Sequence, residues 1–167
     1  GTGMTTTGKP TRPDRRALSS AARLYAVQAL FQMEAAGQGA DRVQREFLSY
    51  RIGVEDESGP HPEADEALFS RIIDDVVTWQ SKIDQATDRG LVAKWPIDRI
   101  DPVLRALFRA AGAELTRPST PPKVVITEYV RLAEAFFPEG REPKFVNAVL
   151  DHVAREMRPD AFPSVTE

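Results

Sequence analysis

The 167-residue chain has no cysteine and only two histidines, His61 and His152. Without thiols there is no disulfide scaffold, no thiolate zinc site and no cysteine nucleophile. Neither histidine has a second one at ligand spacing, so a surface or partly packed role is expected of each rather than a metal site. No apolar run approaches the roughly 18 residues that cross a bilayer. The polar, Arg-bearing N-terminus also lacks the apolar stretch of a secretory signal, so a soluble, cytoplasmic protein without a membrane partner is expected. A catalytic constellation is missing too. Asp74 and Asp75 are neighbours on a predicted helix and point about 100° apart, which suits a solvated face better than a paired acid/base site. Residues 55–57 lack the alternating ligands of a calcium loop, and Gly37-Gln38-Gly39 has neither a strand before it nor a phosphate-binding Lys-Ser/Thr after it. The expectation is a protein that is not an enzyme and needs no cofactor.

What is present is helical periodicity, in a chain that is 41% hydrophobic and 28% charged, enough to bury a core. From Asp14 to about Ala36, Leu18, Ala21, Ala22, Tyr25 and Ala29 trace one face, widened by Leu24, Val27, Leu30 and Phe31, with Asp14 as N-cap and Gly37 as stop. A second helix is predicted from Asp41 to about Ile52, turning Val43, Phe47, Leu48, Tyr50 and Ile52 inward. Residues 53–63 combine Gly, Pro and carboxylates and read as an exposed loop. The clearest period is Leu68, Ile72, Val76, Trp79, Ile83 and Ala86, an amphipathic helix over residues 64–88. Trp95-Pro96 breaks the chain, and Asp101-Pro102 caps and opens a helix through Leu115.

Pro122 or Lys123 opens the next helix, striped by Val125, Tyr129, Leu132 and Phe136. Glu142-Pro143 opens the last, with Phe145, Val146, Val149, Leu150, Val153 and Met157 inward. The prediction is an all-α bundle of six to seven helices. A flexible arm covers residues 1–13, and a helical domain covers 14–158. A break near Gly90 divides that domain into closely packed subdomains of about 14–90 and 91–158, and a tail follows over 159–167.

The formal net charge of −3 disfavours indiscriminate nucleic-acid binding, but the charge is unevenly spread. Residues 1–33 carry Lys9, Arg12, Arg15, Arg16 and Arg23 against Asp14 alone, a net of +4. Residues 54–75 carry eight carboxylates against Arg71, a net of −7. Arg12, Arg16 and Arg23 fall on one helical face with Arg15 beside them. Guanidinium groups there can pair with phosphates bidentately while counterions are released; the plainer reading is a solvated helix end. Lys144 and Phe145 put a cation and an aromatic at a helix start, a combination that can hold a phosphate and stack a single-stranded base. An aromatic at core spacing is more often buried. A competing function is a helical protein-interaction module without intrinsic RNA binding, its acidic face docking a basic partner.

Five segments occur in order along residues 15–158. They are Ala26-Val27-Gln28-Ala29-Leu30-Phe31; Trp95 with Ile97 and Arg99; Leu104 through Arg109 to Glu114-Leu115; Pro122-Lys123-Val124-Val125-Ile126-Thr127-Glu128; and Lys144-Phe145-Val146-Asn147-Ala148-Val149-Leu150-Asp151. Together they resemble the NusB family of bacterial transcription antitermination factors. The resemblance implies an all-helical fold of two subdomains that binds single-stranded boxA-type RNA of ribosomal RNA leader transcripts. It also implies a heterodimer with the small-subunit ribosomal protein called NusE, inside a complex on RNA polymerase that suppresses termination, and a homodimer able to bury either surface. RNA contacts would fall to Arg12, Arg15, Arg16, Arg23, Lys144 and Phe145. Partner contacts would fall to the connector over residues 138–143, at Glu139, Arg141 and Glu142.

Overall fold

The computed structural model describes residues 14–91 and 97–162, and most of its helices begin and end where local chemistry dictates. Helix α1, Arg15–Ala36, opens with the Asp14 carboxylate accepting from Ala17 N at 2.8 Å. It stops at Gly37, whose φ of 64° is the left-handed conformation that terminates helices. Helix α2, Ala40–Tyr50, starts one residue before the expected Asp41, which instead lies in the first turn, where the helix dipole favours an anion. Helix α3, Glu66–Gly90, is capped by Asp65, accepting from Leu68 N at 3.0 Å. A 3-10 turn, Ile97–Arg99, leads to α4, Pro102–Leu115, where Asp101 accepts from Val103 N at 2.7 Å. Helices α5, Pro122–Phe136, and α6, Glu142–Met157, follow. Six α-helices among the described residues make the molecule all-α, as predicted. Among those residues no helix is long and apolar enough to cross a membrane.

One buried cluster draws on all six helices. Near α2, Phe47 stacks on Phe69 with centroids 5.7 Å apart and takes the edge of Tyr25 at 6.3 Å. The hydroxyl of buried Tyr25 is satisfied by donating to Pro62 O at 2.7 Å. Where α3 crosses α4, Gly112 sits directly under Ile83. A Cβ at position 112 would fall 2.4 Å from Ile83 Cγ2, so this close crossing requires glycine. Arg109 forks onto Asp84 at 2.9 and 3.0 Å, and Arg105 and Arg109 both reach Glu34. These pairs tie α4 to α3 and α1.

Several expectations need correction. Residues 55–60 form a short antiparallel pair, β1 Glu55–Asp56 with β2 Gly59–Pro60, where only a loop was predicted. Asp56 shapes it by accepting from Ser58 N and Oγ and pairing with His61 Nε2 at 2.8 Å. The Ser58 hydroxyl and then His61 lower its pKa to about 2. Trp79 is 44% exposed, because no element among the described residues covers the α3 turn Val77–Lys82; Lys82 lies against its ring instead. Tyr50, expected inward at the end of α2, is 71% exposed, whereas Ile52 is buried as expected. Asp75, read as solvated, is buried and held by an Arg117 fork. The predicted tail begins with a 3-10 turn, Pro159–Ala161, and Phe162 lies under Arg155. The arm over residues 1–13, including Arg12, lies outside the described residues, as does Trp95.

Candidate nucleic-acid interface

Two helix starts meet on one side of the molecule. The first turn of α1 supplies Arg15 and Arg16, and the first turn of α5 supplies Lys123 and Val124. Ser19 and Thr127 complete the walls of a groove of about 580 Å³, and Arg23 and Glu128 also line it. Arg15, Arg16, Lys123 and Thr127 are exposed. The geometry follows from the sequence at both ends. Asp14 fixes where α1 begins. Pro121-Pro122 fixes where α5 begins, with a proline in the first turn and no side-chain cap on its free N–H groups. The groove combines cationic side chains with the N-terminal turns of two helices, an environment that attracts phosphate, although at α1 the Asp14 carboxylate cap offsets part of the dipole.

Beneath it lies a buried polar network. Arg23 Nε and Nη2 donate to Glu114 at 2.7 and 3.0 Å, and Tyr129 Oη donates to Glu114 Oε2 at 2.7 Å. Glu128 Oε1 accepts from Ser20 Oγ at 2.7 Å, with Arg23 Nη1 at 3.5 Å. Burial opposes the Arg23 charge, but the hydrogen bond and attraction from Glu114 outweigh it and raise its pKa. Burial, and then the Glu114 carboxylate, hold the Tyr129 proton well above the ordinary value. Arg23 is thus 6% exposed with its guanidinium committed to carboxylates. The expectation that Arg23 is a phosphate contact is corrected: it locks α1 to α4, which positions Arg15 and Arg16.

Lys144 and Phe145 do not join this groove. Lys144 is exposed. Phe145 is half-buried, edge-on to Phe108 at 6.0 Å, in a separate depression with Arg99, Leu104, Arg141 and Glu142. Glu139 and Arg141 are exposed on the connector, whereas Glu142 folds back over Gly140. Its Oε1 is buried and has no hydrogen-bond partner among the described residues. A third depression, of about 310 Å³, is lined by Val27, Gln28, Phe31, Arg51, Val103 and Phe136, with Phe31 38% exposed.

Sequence reasoning missed Lys123, Thr127 and Glu128 as groove residues. One signal was available for Lys123: a cation in the first turn of a helix opposes the dipole, and such a placement calls for a reason outside the helix. Nothing local marks Glu114 as the partner of Arg23, 91 residues away.

The NusB family model matches residues 20–155. The transcription antitermination protein NusB of Maricaulis maris (strain MCS10) is 47% identical over 161 residues, covering 95% of this chain and all of the relative. That of Caulobacter vibrioides is 46% identical, covering 83% of this chain and 93% of the relative. Among solved structures, T. maritima NusB superposes with a TM-score of 0.69 at 29% identity, covering 90% of this chain and 96% of that one. A chain from the crystal structure of antitermination factors NusB and NusE in complex with dsRNA shares the fold. Its TM-score is 0.67 at 23% identity, with 82% of this chain and 96% of that one covered. With its model matched over most of the length and relatives approaching half identity, the chain belongs to the NusB family.

Proposed function

We propose that the protein is a transcription antitermination factor that binds single-stranded boxA-type RNA together with the ribosomal protein NusE, in a complex on RNA polymerase. The observation that carries the reading is the groove: three exposed cations, Arg15, Arg16 and Lys123, over two helix N-termini. It offers concentrated positive charge to a phosphate backbone. Arg15, Arg16 and Lys123 bind phosphates, and Arg12, outside the described residues, is a further phosphate contact on sequence grounds alone. Lys144 and Phe145 form a second contact, with the exposed part of the Phe145 ring available to a base. NusE docks where Phe31 and Phe136 line an apolar depression, and the exposed connector that leaves α5 after Phe137 offers Glu139 and Arg141 as separate partner contacts. The dsRNA complex of a NusB and a NusE, a fold relative of this chain, is in keeping with that assembly.

A filter-binding titration of boxA-type RNA with and without NusE tests the proposal. Retention by the chain alone, tightened when NusE is added, is the expected result. No retention in either condition would leave the competing reading, a helical protein-interaction module.

A further inference from the structure

The groove has two walls, and little packing joins them. Helix α1 lies along α3 and α4, helix α5 lies against α4 and α6, and the two meet each other only briefly. Arg15 and Arg16 stand on one wall and Lys123 on the other, so like charges push the walls apart until a polyanion neutralises them. Among the described residues two hydrogen bonds cross from α1 to α5, and Glu128 Oε1 accepts both. Ser20 Oγ donates at 2.7 Å and Arg23 Nη1 at 3.5 Å. The second is at the outer limit of a hydrogen bond, and the Arg23 fork is already committed to Glu114 on α4. Arg131, 3.8 Å from the other Glu128 oxygen, is on the same helix as Glu128 and ties nothing to α1. Ser20 therefore makes the short link. It lies four residues beyond Arg16, and Glu128 lies four beyond Val124, so each shares a helix face with a groove residue one turn, about 6 Å, before it. The walls are pinned one turn in from the cations that line them.

We propose that the hydrogen bond from Ser20 to Glu128 is a clasp that sets the spacing of the groove, which makes Ser20 a positioning residue for RNA. This rests on the reading of the groove as an RNA site. The clasp accounts for a feature that phosphate binding leaves unexplained. Glu128 is a carboxylate, 7% exposed, held where it costs desolvation and repels a phosphate backbone. A hydroxyl bonds to a carboxylate more strongly than to a neutral acceptor, and that bond holds α5 to α1 against the repulsion between their cations. With the spacing fixed in advance, one stretch of backbone meets Arg16 and Lys123 together. Without the clasp only a fraction of the molecules present both walls at that spacing, and the apparent affinity falls by that fraction.

The chain has no cysteine, so spin labels on Ala17→Cys/Val124→Cys, exposed positions of α1 and α5, read the spacing by double electron–electron resonance without RNA. Adding Ser20→Ala is expected to broaden the distance distribution and lengthen its mean. Glu128→Gln, whose amide oxygen still accepts from Ser20, is expected to keep the distribution of the labelled parent. In the unlabelled chain, Ser20→Ala is expected to bind boxA-type RNA roughly twofold to tenfold more weakly, the worth of one hydrogen bond in holding the walls. That loss is expected to vanish when Ser20→Ala is made in Lys123→Ala, because the spacing matters only while both walls hold the strand. A substitution that merely destabilised the fold would show no such coupling to Lys123. Unchanged spacing in Ser20→Ala, or the same fold-loss with and without Lys123, would overturn the clasp. If Arg15→Ala/Arg16→Ala/Lys123→Ala binds RNA as well as the wild type, the groove reading itself fails and the clasp's part in RNA binding with it; the distance measurement, made without RNA, tells that failure from a failure of the clasp.

Discussion

Replacing Arg23 with alanine separates a structural arginine from an RNA-binding one. The side chain sits inside the molecule, and its removal leaves Glu114, 4% exposed, with only the Tyr129 hydroxyl for compensation. Breaking a buried ion pair by deleting one partner costs about 3–5 kcal/mol, because the remaining charge is stranded. In a chain of this size each kcal/mol lowers Tm by about 2–4 °C. Arg23→Ala is thus expected to melt about 6–20 °C below the wild type, followed by circular dichroism at 222 nm. Glu114→Gln in the same chain removes the stranded charge and is expected to recover part of the loss. The folded fraction of Arg23→Ala, held well below its Tm, keeps the wild-type salt dependence of RNA binding, since no phosphate contact has been removed. A Tm within about 3 °C of the wild type, or a flattened salt dependence, would refute the structural role.

Other outcomes follow from the same geometry. Gly112→Ala gains about 1 kcal/mol of helix propensity but drives a methyl to 2.4 Å from Ile83 Cγ2; overpacking costs typically 1–3 kcal/mol, so a net loss in urea midpoint is expected, and a gain would contradict the close crossing. Tyr129 holds its proton above the ordinary 10.0 in the folded state, through burial and then Glu114. The unfolded chain gives up that proton first, so this contribution is intact below pH 10 and shrinks as pH rises further. Tyr129→Phe is expected to lose about 1–3 kcal/mol at neutral pH and to show a flatter decline in urea midpoint above pH 10 than the wild type. Phe31→Ala is expected to weaken capture of NusE more than fivefold, about 1 kcal/mol or more, at nearly unchanged Tm; unaltered capture would move the partner surface elsewhere.

The helices were legible because their signals are local. Asp14, Asp65 and Asp101 each cap a helix within three residues of its first turn, and Gly37 stops α1 by its own backbone. The α3 period located five of its six marked positions correctly. It failed at Trp79 because whether a face is covered depends on which neighbour reaches that turn, and periodicity carries no such information. The site was legible only in part for the same reason. Arg15 and Arg16 stood out as local charge, but the groove exists because α5 lays Lys123 and Thr127 alongside them from about a hundred residues downstream. Arg23 looked like its neighbours in sequence and differs from them only through Glu114 and Glu128, which folding brings to it.

The central claim, that this groove holds an RNA backbone, is tested most directly by the salt dependence of binding to single-stranded boxA-type RNA. Each phosphate neutralised on a single strand contributes about 0.7 to the log–log slope. Arg15→Ala/Arg16→Ala/Lys123→Ala is therefore expected to flatten the slope by about 2 relative to the wild type. An unchanged slope in that variant would contradict the account.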